Sequence, residues 1–265
     1  MENRYQIVKG DCIEEMKKIP DGSIDLILTD PPYGTTSCKW DSVIPFEPMW
    51  QQIWRVLKPS GACVLFGAEP FSSKLRLSQI DRFKYDWVWH KTRSVGFVNA
   101  KLKPMNDHEI VSVFSVGKTS NGNENNMVYN PQELEDCERV LNRNKRSRHG
   151  DNDYWRPSQK EKIFQEKTNY PRTVLSFSSS SKTVHPTQKP IDLLQYLIRT
   201  YTDVGETVLD FTMGSGSTGV AAMFSNRKFI GIELDDKYFE IARRRIERAA
   251  NPDYLKSRLK GLNSK

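Results

Sequence analysis

Hydrophobic positions along the chain fall into short continuous runs and helical stripes that alternate, and the alternation is interrupted once. Tyr5-Gln6-Ile7-Val8 reads as a first strand, and Ile24-Asp25-Leu26-Ile27-Leu28-Thr29 is an apolar run ending at a double proline, the pattern of a buried parallel strand. From Phe46 to Leu57 the apolar residues Met49, Ile53, Val56 and Leu57 recur at helical spacing, and Pro59-Ser60-Gly61 is the punctuation that stops that helix. Ala62 to Phe66 makes a second buried strand; Tyr85 to Trp89 and Glu109 to Phe114 are further strands. From Lys118 to Val184 the chain turns polar, rich in Asn, Ser, Arg and Lys, without sustained periodicity. A stretch of that length inside a compact domain signals a functional region or a small subdomain. Regular patterning then returns. Pro190 opens a helix with Leu193, Leu194, Leu197 and Ile198 on one face, as suits proline in a first helical turn. Strand Thr207 to Phe211, a glycine-rich turn, a helix from Ser217, strand Phe229 to Glu233 and a helix from Asp236 to Ala249 complete the series. A basic tail follows Pro252, and the chain holds no internal repeat. The expected architecture is an α/β sheet interrupted by one polar insertion.

Composition narrows this picture modestly. A chain of 265 residues suits one large domain, or one domain with a sizeable insertion. No apolar run approaches the roughly 18 to 20 residues that span a bilayer. Met1-Glu2-Asn3-Arg4 leads directly into a strand, unlike a signal peptide, so no membrane association is expected. Cys12, Cys38, Cys63 and Cys137 form no CxxC pair and have no His at ligand spacing. Neither a disulfide framework nor a metal site is expected, and a reducing, cytoplasmic setting fits. The net charge of +7 is compatible with a polyanionic partner, but only its distribution can say more.

Gly214-Ser215-Gly216-Ser217-Thr218-Gly219 follows a strand, opens a helix, and is trailed after a second strand by Glu233. Glycines let the backbone approach a ligand closely, and a carboxylate about twenty residues on can accept both hydroxyls of a ribose. The turn implies an adenosine-type ligand; a plain tight strand–helix turn is the alternative. A nicotinamide domain beginning at this turn would need several further strand–helix units, and only about one follows. Val220 after Gly219 excludes a phosphate-binding P-loop.

Asp30-Pro31-Pro32-Tyr33 ends its strand with a carboxylate, a proline carbonyl and an aromatic ring. The carboxyl edge of such a sheet is where ligands bind. Two prolines fix φ and remove two N–H donors, leaving a rigid backbone whose Pro31 carbonyl is free to accept. A stiff turn is the blander reading. The preceding strand and following aromatic weigh against it.

Together these elements resemble the amino-methyltransferase family acting on DNA, in its β-group order: catalytic tetrapeptide first, recognition region in the middle, cofactor turn last. The resemblance spans essentially the whole chain. Gly10-Asp11-Cys12 resembles the family's N-terminal adenine-side element, His185-Pro186-Thr187-Gln188-Lys189-Pro190 the segment before the first cofactor-half helix, Asp210 to Gly219 the cofactor turn, and Glu233 its ribose acid. It departs where the family has Asp-Pro-Phe: here Asp210-Phe211-Thr212 puts Thr212 at the aromatic's place.

The resemblance implies a circularly permuted, Rossmann-like methyltransferase sheet with a target-recognition insertion. Residues 1–117 would be the catalytic half, 118–184 the insertion, 185–250 the cofactor half and 251–265 the tail. It implies S-adenosylmethionine as cofactor, held by Asp11, Cys12, Lys189, Asp210, Phe211, Thr212, Gly214, Ser215, Gly216, Thr218 and Glu233. It implies double-stranded DNA as substrate, methylated at the N6 amine of adenine, with cytosine-N4 as the alternative, because Asp rather than Ser opens the tetrapeptide. Asp30, Pro31, Pro32 and Tyr33 would be catalytic. The Asp30 carboxylate and Pro31 carbonyl would take the amine's hydrogens, and Tyr33 would stack on a base flipped from the duplex. Bacterial or phage restriction–modification, a cognate endonuclease or none, and a homodimer belong to the same implication.

Arg139, Arg143, Lys145, Arg146 and Arg148 cluster in the polar segment, with Trp155 and Arg156 just after. Basic side chains neutralise phosphates, and arginine also reads base edges. A solvated charged loop is the bland reading; position in the recognition slot favours DNA contact. Trp87 and Trp89 are expected in the core or as a pocket wall, and His108-Glu109 resembles a structural feature before a family strand. Two rivals remain. RNA or protein-glutamine methyltransferases carry similar tetrapeptides, but resemble chains with the cofactor turn ahead of it. A non-catalytic DNA-binding module would need neither motif intact.

Overall fold

The computed structural model describes residues 4–35, 41–121, 124–142, 162–178 and 188–254. In chain order the elements are β1 (Tyr5–Lys9), α1 (Cys12–Met16), β2 (Ile24–Thr29), α2 (Phe46–Val56), β3 (Leu57–Gly67), α3 (Phe71–Ser78), β4 (Phe83–Val95) and β5 (Asn106–Phe114). There follow β6 (Glu135–Asn142), β7 (Lys162–Thr168), β8 (Val174–Phe177), α4 (Ile191–Tyr201), β9 (Thr207–Asp210), α5 (Ser217–Phe224), β10 (Lys228–Glu233) and α6 (Asp236–Ala250).

Eight strands form one sheet in the order β1-β10-β9-β2-β3-β5-β4-β8. The run from β1 to β3 is parallel throughout, while β5 is antiparallel to both β3 and β4. The last strands of the chain, β9 and β10, therefore lie between the first two. That order is the permutation expected from the motifs: β9, which carries the glycine turn, lies beside β2, which carries the tetrapeptide.

Both sheet faces are covered, which explains why β2 is buried at all six positions rather than at alternate ones. Leu26 and Leu28 point into one core with Val208, Leu197 and Ala221. Ile27 points into the other with Leu209, Ile53 and Trp50. Each fully buried Leu or Ile side chain contributes on the order of 1.5–3 kcal/mol.

The helices that were not anticipated are short. Asp11 caps α1, its carboxylate accepting from Ile13 N at 2.9 Å and Glu14 N at 3.1 Å. Pro59-Ser60-Gly61 does follow the end of α2, but it lies within β3, in a register break that pairs Ile24 with Leu57 and then Leu26 with Ala62.

The chain divides into a large unit, residues 1–130 with 173–265, and a small one, Pro131–Arg172. The small unit is narrower than the 118–184 insertion expected from composition. Residues 118–130 belong with the sheet: Lys118 bridges Asn126, Met127 is buried, and Val128 N donates to Ser60 O at 2.9 Å. β8 likewise pairs with β4. Within the small unit β6 and β7 make an antiparallel pair whose Val140 and Phe164 are exposed. With the Val140–Phe164 face exposed, burial imposes no alternation there, and no period-two pattern marks the pair. Among the described residues no helix is long and apolar enough to cross a membrane.

Candidate active site at the carboxyl edge of the sheet

Asp30 stands one residue past β2, at the carboxyl edge of the sheet, and both its carboxylate oxygens are engaged. Tyr33 Oη donates to Oδ1, and Lys189 Nζ lies 2.5 Å from Oδ2. The same ammonium lies 3.1 Å from Glu109 Oε2 and 5.0 Å from the centre of the Phe66 ring. Glu109 Oε1 pairs with Lys91 Nζ at 2.5 Å. Two carboxylates and two ammonium groups thus alternate from Asp30 through Lys189 and Glu109 to Lys91.

Burial and the neighbouring charges compete in setting the protonation of this cluster. It raises the Asp30 pKa, an effect that Lys189 opposes and Glu109 reinforces. Burial also works to raise Glu109, but Lys189 and Lys91 outweigh it and hold that group below the ordinary range. For Lys189 burial works downward, and the two carboxylates more than compensate, so the ammonium stays charged. Burial and the neighbouring Asp30 keep the Tyr33 phenol protonated and donating. Its ring stacks on Phe71, centroids 5.0 Å apart, which uses one of its two faces.

Three threonine and aspartate side chains join the tetrapeptide to the neighbouring strand. Thr29 Oγ1 donates to Asp210 Oδ1 at 2.5 Å and lies 2.7 Å from Thr212 Oγ1. Thr212 Oγ1 in turn donates to the Asp30 carbonyl at 3.2 Å. Burial pushes the Asp210 carboxyl up to about 6, partly offset by hydrogen bonds from Thr29, Thr218 and the Thr212 N–H.

The glycine turn is built from backbone. Gly214 and Gly216 take φ of 51° and 76°, the left-handed region that other residues enter with strain. Gly214 N donates to Glu233 Oε2 and Asp235 N to Glu233 Oε1, each at 2.8 Å, so the acid is fixed across the turn. Burial raises Glu233, and these backbone donors oppose the rise. A side-chain carbon on Gly214 would meet no atom within 4 Å, whereas one on Gly216 would strike Ala242 at 2.9 Å. Gly216 is needed for packing on α6; Gly214 opens onto free space. Arg245 donates to Ser215 O, and to Ser215 Oγ at 2.8 Å, pinning the turn from α6.

Gly10 N donates to Glu233 O at 3.0 Å, which brings the Gly10-Asp11-Cys12 element to the same edge. Cys12 is buried, and burial first, then Asp11, pushes its thiol up to about 12, so it remains neutral.

The residues singled out from sequence therefore separate into three groups. Asp30, Pro31, Pro32 and Tyr33 adjoin Thr212 and Asp210, while Gly214, Ser215, Gly216, Glu233, Asp11 and Cys12 gather along β9, β10 and β1. Three of the side chains expected at the cofactor also have partners within the chain. Lys189 binds the catalytic-side carboxylates, Thr212 bonds the Asp30 carbonyl, and Phe211 is buried in the core at 1% exposure. Arg139 lies on β6; Arg143, Lys145, Arg146, Arg148, Trp155 and Arg156 fall outside the described residues, as do His185, Pro186 and Thr187. Trp87 and Trp89 are core residues, their indoles donating to Tyr201 Oη at 2.6 Å and Phe177 O at 3.0 Å. Glu109 and Lys91 were not recognised as site residues. Their sequence signal is opposite charge facing across adjacent antiparallel strands, meaningful only once β4 and β5 are paired.

Comparison with known proteins bears on this arrangement. Residues 24–244 match the family described as DNA methylase. The chain is 30% identical over 280 residues to the type II methyltransferase M.HinfI of Haemophilus influenzae, covering 93% of this chain and 70% of that protein. It is 29% identical over 261 residues to the DNA adenine methyltransferase YhdJ of Escherichia coli (strain K12), covering 92% and 83%. Among solved structures it resembles the M1.HpyAVI–SAM complex, with a TM-score of 0.59 and 25% identity over 91% of this chain and 99% of that one. It shares its fold with the cytosine-N4-specific PvuII DNA methyltransferase, with a TM-score of 0.66 and 19% identity over 97% and 93%.

Proposed function

Because the chain belongs to the DNA methylase family, we propose that it transfers the methyl group of S-adenosylmethionine to the N6 amine of adenine in duplex DNA. The observation that carries the reading is the Asp30 carboxylate, paired with Lys189 and oriented by Tyr33, one strand away from the glycine turn.

The turn fits the proposed cofactor. Gly214 leaves open space beside the β9 strand end, and the Glu233 carboxylate faces it, aligned by two backbone N–H groups, where a ribose diol would be accepted. Bound there, S-adenosylmethionine supplies an electrophilic methyl on a sulfonium. All other steps fall to the chain's own side chains.

An exocyclic amine is a poor nucleophile because its lone pair is delocalised into the ring. The Asp30 carboxylate and Pro31 carbonyl accept its two hydrogens, which favours a pyramidal nitrogen with the lone pair directed outward. Rigid prolines hold both acceptors without reorganisation. The carboxylate need not be a strong base, since the amine becomes acidic only as the new N–C bond forms. Lys189 matters for the same reason: its charge opposes the rise that burial imposes on Asp30 and so favours the accepting carboxylate. Tyr33, one face of which stacks on Phe71, would place its other face on the base, which must leave the duplex at a cost of a few kcal/mol.

Adenine is favoured over cytosine-N4 by the aspartate that opens the tetrapeptide and by the relative named for adenine methylation. Incubation with methyl-labelled S-adenosylmethionine and either duplex DNA or RNA tests the reading. Label is expected on DNA, and label on RNA alone would remove it.

A further inference from the structure

We propose that the tip of the β4–β5 hairpin is a wedge that enters duplex DNA beside the target base; this rests on the DNA reading above. β5 runs antiparallel to β3 and pairs Ile110 with Gly67, the last residue of β3. Residues of β5 before Ile110 therefore run on past the end of β3, paired only with β4, at the edge where β2 delivers Asp30. Glu109, in the charge cluster, begins that projection. Val95 pairs with Asn106 three residues further out, about 10 Å along the strand.

What the hairpin carries at its tip is unusual for a surface loop. Phe97, Val98 and Leu102 are 80%, 96% and 86% exposed. Gly96, at φ 96°, makes the turn that presents them. Clustered exposed apolar side chains mark a contact surface. Its partner is indicated by charge: from Lys91 to Met105 the chain holds four Lys or Arg and no acid. Among the described residues Arg93, Lys101 and Lys103 pair with no carboxylate. Apolar groups flanked by unpaired cations suit a duplex, with phosphates outside and base faces inside. Proteins that kink or open DNA insert side chains of this kind between base steps. Projecting outward from the same edge as Asp30, the wedge fills the space the base leaves and prevents its return.

The test uses a duplex carrying the enzyme's own methylated site, in two forms: fully paired, and with the target base opposite an abasic position, where extrusion is nearly free. F97S/V98S should lose at least ~10-fold in kcat/KM on the paired form and far less on the abasic-opposed form. R93Q/K101Q/K103Q should lower the dependence of log affinity on log salt by about 2 to 3. Equal activity on both forms, equal loss on both, or a loss traced by sedimentation to a changed oligomeric state would each overturn the wedge. Failure of the wild-type protein to methylate any DNA would instead overturn the function on which the wedge rests.

Discussion

The glycine turn and the tetrapeptide, on adjacent strands at one edge of the sheet, are built by opposite means. At the glycine turn the chain uses mainly backbone: left-handed glycines, and N–H groups fixing Glu233, which lies 19 positions from Gly214. At the tetrapeptide it uses side-chain charge, an alternating series in which Lys189 meets Asp30 from 159 residues away. The backbone site recognises a fixed shape and has little to adjust. The charged site sets the protonation of one carboxylate by balancing burial against neighbours. Binding and chemistry should therefore fail separately.

The largest separation is expected for Asp30→Ala. Turnover should fall by about a hundred- to ten-thousand-fold, while calorimetry finds cofactor affinity nearly unchanged. Comparable losses in both would mean the two ends act as one. Glu233→Ala is the converse. It strips two backbone N–H groups of their acceptor, and cofactor affinity should weaken by about ten- to a hundredfold with turnover at saturation largely kept. An unchanged affinity would remove Glu233 from the cofactor site.

How much of each end was legible follows from the same difference. The turn could be read because its geometry is dictated by adjacent residues; Gly214, Gly216 and Glu233 stand where spacing put them. The sheet was legible in its buried strands, and its permuted order in the sequence of motifs. The charge cluster was not. Lys189 read as a cofactor neighbour because nothing local connects it to Asp30, and Glu109 read as structural because its partners lie on other elements. Thr212 looked like a missing aromatic, yet its hydroxyl has a use that appears only when β9 is known to adjoin β2. The β6–β7 pair escaped because exposed faces impose no alternation.

A finer probe of the charged end uses its opposing neighbours. Lys189 lowers the Asp30 pKa and Glu109 raises it. The acid limb of the pH–rate profile should therefore move to higher pH in Lys189→Met and to lower pH in Glu109→Gln. Roughly tenfold loss at neutral pH is expected for the first, with recovery as pH rises. Shifts in the same direction in both variants would show that charge is not the controlling factor.

The smallest effect concerns stability. Burial pushes the Asp210 carboxyl up to about 6, above the ordinary aspartate value of about 4, so the folded state holds its proton more tightly than the unfolded one. Its contribution to stability is then present at acid pH and is lost as pH rises through about 4 to 6. Asp210→Asn should flatten thermal unfolding across that window, by at most ~2–3 kcal/mol. A wild-type pH dependence retained in the variant would assign the effect to another group.

The account's central claim, amine methylation of DNA at Asp30, is tested most directly by mass spectrometry of nucleosides from duplex DNA treated with the protein and labelled S-adenosylmethionine. The label is expected in N6-methyldeoxyadenosine. Label on a ring carbon of cytosine, or none in DNA, would contradict the claim, and label in N4-methyldeoxycytidine would keep the chemistry but overturn the choice of base.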